Sequence, residues 1–228
     1  MPAKPKAPDM PFHRIRNQEA LLNAIRKLNF RRNVLVVLLF LALVATLIYG
    51  TLEDPFQYTF SKIGNYFHYR EWYILWAVYV GLAIQTAALC LFRLEQYPAR
   101  YAYISIYCAT FFLIVTALIP SLKEEMFIWH VIHKWTTFFY VMSTLTALHP
   151  FVLYLGRTKP RLWILLRNWE LLILIGSMSS LIIQGQTGIF ELWFIVMALS
   201  LLGYLVIVLH RHKIEKLYHT RHESGSIT

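Results

Sequence analysis

Six stretches of the sequence contain no Asp, Glu, Lys or Arg for about 20 residues each. They cover residues 33–52, 72–92, 101–122, 135–156, 171–190 and 192–210. A helix of about 20 apolar residues spans the hydrocarbon core of a bilayer. Because backbone groups in lipid must be paired within the segment, such stretches are helices. We therefore predict an all-α, polytopic membrane protein with a six-helix transmembrane domain at residues 33–210.

The distribution of charge predicts how these spans are oriented. The net charge is +10, and alternating spans place 18 of the 22 Lys and Arg residues on one side, whereas the acids divide evenly. Lys and Arg concentrate on the cytoplasmic side of membrane proteins. We therefore expect both termini in the cytoplasm of a plasma membrane protein. The basic excess then indicates contact with membrane lipids, and no nucleic-acid partner is predicted.

The segments that flank the spans are also basic. Residues 1–16 are predicted to be a disordered tail, and residues 211–228 a basic cytoplasmic tail. Residues 17–32 are predicted to form a short amphipathic helix at the membrane interface, with Leu21, Leu22, Ile25 and Leu28 on one face. Such a helix is expected to bind anionic lipid of the inner leaflet. A membrane protein partner that docks on this helix is the alternative.

A stripe of polar residues begins the fourth span. His130, His133, Thr137, Tyr140 and Thr144 follow at helical spacing and share one face. Polar groups that faced lipid would have no partner, so this face should point into the bundle. The stripe predicts a polar pocket that opens on the outer side.

Other polar residues are expected at similar depth. Ser61 and His68 lie in the first outer loop, and Glu191 precedes the last span; the remainder are Glu124, Glu125, Gln184 and Gln186. Ser61, His68 and His133 are candidate catalytic residues of a serine-dependent hydrolase. His68, His130, His133 and Glu191 are candidate zinc ligands. No motif spacing specifies either site, so hydrogen bonding without catalysis is the favoured interpretation.

No cofactor is predicted, with zinc as the open alternative. His133 and His149 are 16 residues apart, which places them roughly 160° apart around a helix, so a pair of haems is disfavoured. Arg167 and Glu170 are at i and i+3, and we predict that they form an ion pair.

A family resemblance rests on three short motifs. Asp54-Pro-Phe-Gln-Tyr-Thr-Phe-Ser-Lys-Ile-Gly64 follows the first span, Ala117-Leu-Ile-Pro120 ends the third, and a histidine opens the fourth. This order resembles the domain of unknown function 998 family of bacterial six-helix membrane proteins and, more distantly, the Frag/DRAM/Sfk-like membrane proteins. The resemblance covers about residues 33–210 and matches Ser61, Gly64, Pro120 and His133. It implies a fold but no reaction.

These observations lead to one expected function and two alternatives. We expect a non-enzymatic membrane protein that binds a lipid headgroup, a small polar ligand or a membrane partner in the outward pocket. Its expected contacts are Ser61, Gly64, His130, His133, Thr137 and Tyr140. The alternatives are a metal- or serine-dependent lipid hydrolase, and a transporter or an accessory subunit of one.

Overall fold

The computed structural model describes residues 11–120, 126–185 and 187–225. These residues form seven helices and no strand: α1 (Pro11–Gly50), α2 (Phe60–Tyr66), α3 (Arg70–Leu94), α4 (Arg100–Leu118), α5 (Phe127–Thr158), α6 (Pro160–Gln184) and α7 (Gly188–Gly225). All except α2 are long and apolar enough to cross a membrane. The prediction of an all-α architecture with six spans is confirmed.

The first helix differs from the prediction at its N-terminal side. α1 is one continuous helix of 40 residues, so the segment 17–32 and the first span are a single element. Residues 11–16, for which the sequence predicts disorder, form its first turns. No Gly or Pro occurs between residues 12 and 49, and extending an existing helix costs little compared with nucleating one. Residues 1–10 lie outside the described part of the chain.

The last helix likewise continues past its predicted end. α7 has 38 residues, so residues 211–225 of the expected tail are helical. Arg211 and Glu215 form an i, i+4 ion pair there, with 2.8 Å between Arg211 Nε and Glu215 Oε1. Pairs of this kind support a solvated helix end. Residues 226–228 lie outside the described part.

Spans that follow one another in the chain pack against each other, and the last helix closes the bundle by packing against the first. α4 lies between α3 and α5, and α1 packs against both α7 and α3. α3 presents small, fully buried residues to its neighbours, among them Ala77, Ala83 and Ala87, and small residues let helix backbones approach closely. α6 packs only against α5 and α7 among the principal contacts. It is therefore the most peripheral span.

Two ends of the bundle are distinguished by their contacts. At the end that we call the loop end, segment 51–69 meets the start of α7, and Arg70 Nη2 donates a 2.9 Å hydrogen bond to the Leu118 carbonyl at the end of α4. At the opposite end, the terminal end, Lys159 and Glu95 form an ion pair. That pair ties the α5–α6 connection to the α3–α4 connection.

The fifth span corrects a predicted ion pair. α6 begins at Pro160, so Glu170 lies inside the helix instead of at its entrance. The Glu170 carboxylate pairs with His149 Nδ1 at 3.1 Å and 3.2 Å. The predicted Arg167–Glu170 pair is therefore wrong. Arg167 is exposed, and a long cationic side chain reaches toward water at the nearest surface, whereas the shorter carboxylate turns to a neighbouring helix.

Candidate functional site

The first long loop folds back onto the loop end of the bundle. Asp54 organises a turn, because its Oδ1 accepts the Phe56 N–H at 2.9 Å and its carbonyl accepts the Tyr58 N–H at 3.0 Å. Thr59 then caps α2 by accepting the Lys62 N–H at 3.2 Å, which satisfies one of the unpaired amides at a helix start. The loop is thus a structured segment that carries Phe60 and Ser61 into the bundle.

Phe60 is the anchor of this segment. Its side chain is 1% exposed, and its ring makes edge contacts with Tyr49 at 5.5 Å and Trp76 at 4.9 Å between centroids. The Tyr49 hydroxyl donates a 2.9 Å hydrogen bond to the Phe60 carbonyl. Tyr73 stacks on both Tyr49 and Trp76. An aromatic cluster from α1 and α3 therefore holds the start of α2.

Gly64 allows α2 to lie directly on α3. A Cβ atom at Gly64 would lie 2.9 Å from Tyr73 Cβ and 3.2 Å from the Tyr49 hydroxyl. Both distances are shorter than ordinary van der Waals contact. The glycine is therefore needed for close packing, and the expected role of Gly64 in shaping the loop has this steric basis.

Glu191 connects the same segment to the last span. Its Oε2 accepts the Phe60 N–H at 2.7 Å, and two residues earlier the Ile189 N–H donates to the Pro55 carbonyl at 2.9 Å. Within the described part of the chain, Glu191 takes part in none of the ion pairs.

A small cavity lies between these elements. It has a volume of about 40 Å³ and is lined by Phe60, Tyr73, Trp76, Leu113, Thr116, Thr137, Tyr140, Val141, Phe190, Glu191, Phe194 and Ile195. We call it the loop-end cavity. The Tyr140 hydroxyl and Thr116 Oγ1 are buried and make no well-formed hydrogen bond to any described residue. Buried polar groups normally have a partner, so these two hydroxyls indicate a site for a bound water or ligand.

The polar stripe of the fourth span faces the bundle interior. His133, Tyr140 and Thr144 are 6%, 6% and 2% exposed, which confirms the predicted direction. The Thr137 and Thr144 hydroxyls donate to carbonyls of their own helix, at His133 and Tyr140, over 2.8 Å. The hydroxyls of Thr137 and Thr144 are therefore largely satisfied within α5. Tyr140 is the residue of the stripe whose hydroxyl remains available to a molecule in the cavity.

His133 has a different environment from the one expected. Its Nδ1 lies 3.0 Å from the Thr116 carbonyl and 3.2 Å from the Ile119 carbonyl. Since both partners are acceptors, Nδ1 carries the proton. The ring thereby satisfies carbonyls that the end of α4 leaves without helical partners. The contacts of Nδ1 are those of a helix cap. His130 is half-buried on the preceding turn of α5.

The remaining candidates contact other groups. Ser61 is buried, and its Oγ lies 3.1 Å from Thr59 Oγ1. His68 is exposed and follows α2 with a φ of 63°. In the described residues, no three His, Cys, Asp or Glu side chains are grouped in a way that could hold a metal ion. Glu124, Glu125, Gln186 and the Gln184 side chain lie outside the described residues.

Two of the polar groups described above, the Thr116 hydroxyl and the Phe60 N–H, belong to residues that were not among the sequence candidates. Thr116 comes from α4, where a threonine in an apolar run gives no signal of function. Phe60 contributes a backbone N–H, which no sequence pattern identifies. Glu191 was a candidate zinc ligand, and its observed partner is this amide 131 residues away in sequence. That separation is why the pairing could not be predicted.

Comparisons with known proteins found no matching family model, no matching curated protein and no matching solved structure. The resemblance to the domain of unknown function 998 family therefore stays a prediction.

Proposed function

We propose that this chain is an integral membrane protein that binds a small cation, of about the size of ammonium, in the loop-end cavity. The observation that carries the proposal is the pair of buried hydroxyls, Tyr140 and Thr116, which line the same cavity as Glu191. An ionisable residue within a membrane span is by default a functional-site hypothesis. Here a hydrogen-bond donor such as ammonium would give each hydroxyl a partner and give the Glu191 carboxylate a second one beside the Phe60 N–H.

The walls of the cavity favour a cation over a neutral ligand. Six of its twelve lining residues are aromatic, and aromatic faces attract cations within about 6 Å of the ring centroid. The Glu191 carboxylate, which lies in the same wall as these rings, would add electrostatic attraction for a cation. An anion would meet the Glu191 carboxylate and the negative faces of the rings, so anionic ligands are disfavoured.

The volume limits the size of the ligand. A water molecule requires roughly 10–15 Å³ of cavity measured in this way, so about 40 Å³ holds one to a few water-sized groups. A lipid headgroup is larger than this space. Of the ligand classes that the sequence left open, a small polar ligand is therefore the one that the cavity supports.

Ammonium chloride should raise the melting temperature of the purified protein in detergent. A ligand at about 100 times its Kd stabilises the folded state by roughly 2.7 kcal/mol, which is a rise of roughly 5–10 °C for a chain of this size. Glu191→Gln should abolish the rise, because the amide oxygen can still accept the Phe60 N–H but the charge is lost. Tyr140→Phe should reduce it.

The controls separate site binding from a general salt effect. Choline chloride at equal ionic strength should give no rise, because choline is too large for the cavity. Glu215→Gln removes a carboxylate from the exposed part of the same helix and should respond to ammonium as the wild type does. An equal rise in melting temperature with choline, or a full rise with ammonium in Glu191→Gln, would contradict the proposal.

We further propose that the terminal end faces the cytoplasm of a plasma membrane protein. Arg26, Lys27 and Arg31 are exposed along the first half of α1, next to the terminal end. A cluster of this kind attracts anionic lipid of the inner leaflet, by about 1 kcal/mol per basic residue near the surface. This placement puts the loop-end cavity near the outer surface.

An impermeant maleimide should distinguish the two sides in intact cells. Single cysteines at Lys62 in α2 and at Lys213 in α7 would report the loop end and the terminal end, since both side chains are exposed. The background should replace Cys90 and Cys108, which are free and half-buried. We expect Lys62→Cys to react in intact cells and Lys213→Cys only after permeabilisation. The reverse pattern would invert the proposed orientation.

A further inference from the structure

A second cavity lies between α5, α6 and α7, on the terminal side of Phe194. Its volume is about 470 Å³, and most of its wall is apolar, with Leu148, Ile173, Leu174, Ala198 and Leu201 among its lining residues. We call it the lateral cleft. It shares Phe194 with the loop-end cavity, but its polar groups are different. Its size is within the range of about 300–1,000 Å³ that is typical of small-molecule sites.

One hydrogen-bonded pair of side chains faces the lateral cleft. His149 Nδ1 and the Glu170 carboxylate, 3.1 Å apart, both belong to its lining. Glu170 is ten residues from the start of α6 and His149 nine residues from the end of α5. At about 1.5 Å per residue, both lie about 14–15 Å from the terminal end of their helices. That is near the middle of a hydrocarbon core of about 30 Å.

A third polar group is left without its helical donor by a proline. Pro150 lies inside α5 and has no N–H, so it cannot donate to the carbonyl four residues earlier, at Thr146. Thr146, His149 and Pro150 all line the cleft. The lining therefore includes Thr146, whose carbonyl lacks its regular donor, and the Glu170 carboxylate. Both are hydrogen-bond acceptors.

The lateral cleft is accessible from the side of the bundle. The His149 side chain is 56% exposed, and Leu174 is 45% exposed. At this depth, the surface of the bundle faces the hydrocarbon of the bilayer. A molecule that reaches the cleft from there must dissolve in lipid, and a charged group would be costly at the membrane centre.

We propose that the lateral cleft binds a neutral amphiphile with a hydroxyl head, either a long-chain alcohol or a ring alcohol. The hydroxyl would donate to the Glu170 carboxylate or the Thr146 carbonyl. The apolar part would fill the remainder of the cleft. An ionised carboxylate head would be repelled by the Glu170 carboxylate, and a hydrocarbon would leave the acceptors unpaired. This site is independent of cation binding at the loop-end cavity.

Photolabelling of the full chain in membranes tests this proposal. Two probes, each with a diazirine and an alkyne, distinguish the two sources of the hydroxyl: one based on octadecanol and one based on a sterol. The methyl ether of each probe is the matched control, because it keeps the shape but cannot donate. We expect at least one alcohol to label peptides from residues 144–150, 170–174 or 194–201, and the matching ether to label them much less.

Two variants remove the site in different ways. Glu170→Leu removes the carboxylate and should reduce labelling about fivefold or more, the factor given by the loss of about one hydrogen bond. Ala198→Leu fills the cleft without changing its polar groups and should also reduce labelling. Ala45→Leu enlarges a residue of a different cavity, between α1 and α3, and should label as the wild type does.

The outcomes are decisive in both directions. Preferential labelling by an alcohol, lost in Ala198→Leu and retained in Ala45→Leu, supports the proposal even if Glu170→Leu fails to fold. Equal labelling by alcohol and ether would show that the cleft accepts any apolar chain. Wild-type labelling in both cleft variants would place the bound alcohol elsewhere. Either result overturns the assignment of a hydroxyl site.

Discussion

Replacing Phe60 by alanine should lower the free energy of unfolding by about 3–5 kcal/mol, the usual cost of a buried Phe→Ala change. The ring is 1% exposed and contacts both Tyr49 and Trp76. Its removal leaves a hole where α1, α2 and α3 meet. Because the ring also lines the loop-end cavity, the variant should lose ammonium-dependent stabilisation as well.

Unfolding by SDS, followed by circular dichroism in mixed micelles, measures this effect. Phe56→Ala is the matched control, since Phe56 lies in the same loop but is 57% exposed. Its change should be within about 0.5 kcal/mol of zero, as for most surface substitutions. If the two variants lost the same stability, Phe60 would not be the anchor of the loop.

Replacing Gly188 by alanine should have the second large effect. The added Cβ would lie 2.3 Å from the Tyr58 carbonyl oxygen and 3.2 Å from that of Pro55. Both are backbone atoms, so the loop must move away from α7. That movement would strain the hydrogen bond from the Ile189 N–H to the Pro55 carbonyl, which is 2.9 Å long. We expect a loss of about 1–3 kcal/mol, as for other overpacked sites.

The control for this substitution lies on the same helix and should change stability in the opposite direction. A Cβ at Gly203 has nothing within 4 Å, and Gly→Ala within a helix stabilises by about 0.5–1 kcal/mol. Gly203→Ala should therefore raise the melting temperature in detergent, whereas Gly188→Ala lowers it. A rise in both variants would mean that the contact between the loop and α7 carries no stability.

The elements that were predictable are those that depend on local sequence. The uncharged stretches located the six spans, and the spacing of His133, Tyr140 and Thr144 gave the inward face of α5. The seven-residue α2 was not predicted. A helix of this length is unstable in isolation, and α2 is held by contacts of Phe60, Ile63 and Gly64 with other helices.

The sites depended on pairings between distant residues. Glu191 was visible in the sequence as an acid at the start of the last span, but its partner is a backbone amide in α2. Glu170 was assigned to Arg167 on its own helix, whereas it pairs with His149 on α5. His133 was expected to serve a ligand, and its Nδ1 caps α4. In each case, the residue type pointed to a side chain with an important contact, but the sequence did not identify the partner of that contact.

The sequence by itself determined that this chain forms six membrane-spanning helices, because a bilayer obliges each segment to satisfy its own backbone hydrogen bonds. That requirement is local and is met by composition and length. The tertiary structure alone decided which polar groups meet. The rotation of each helix about its own axis is set more strongly by packing against other helices than by contact with lipid. The loop-end cavity and the lateral cleft are consequences of that packing.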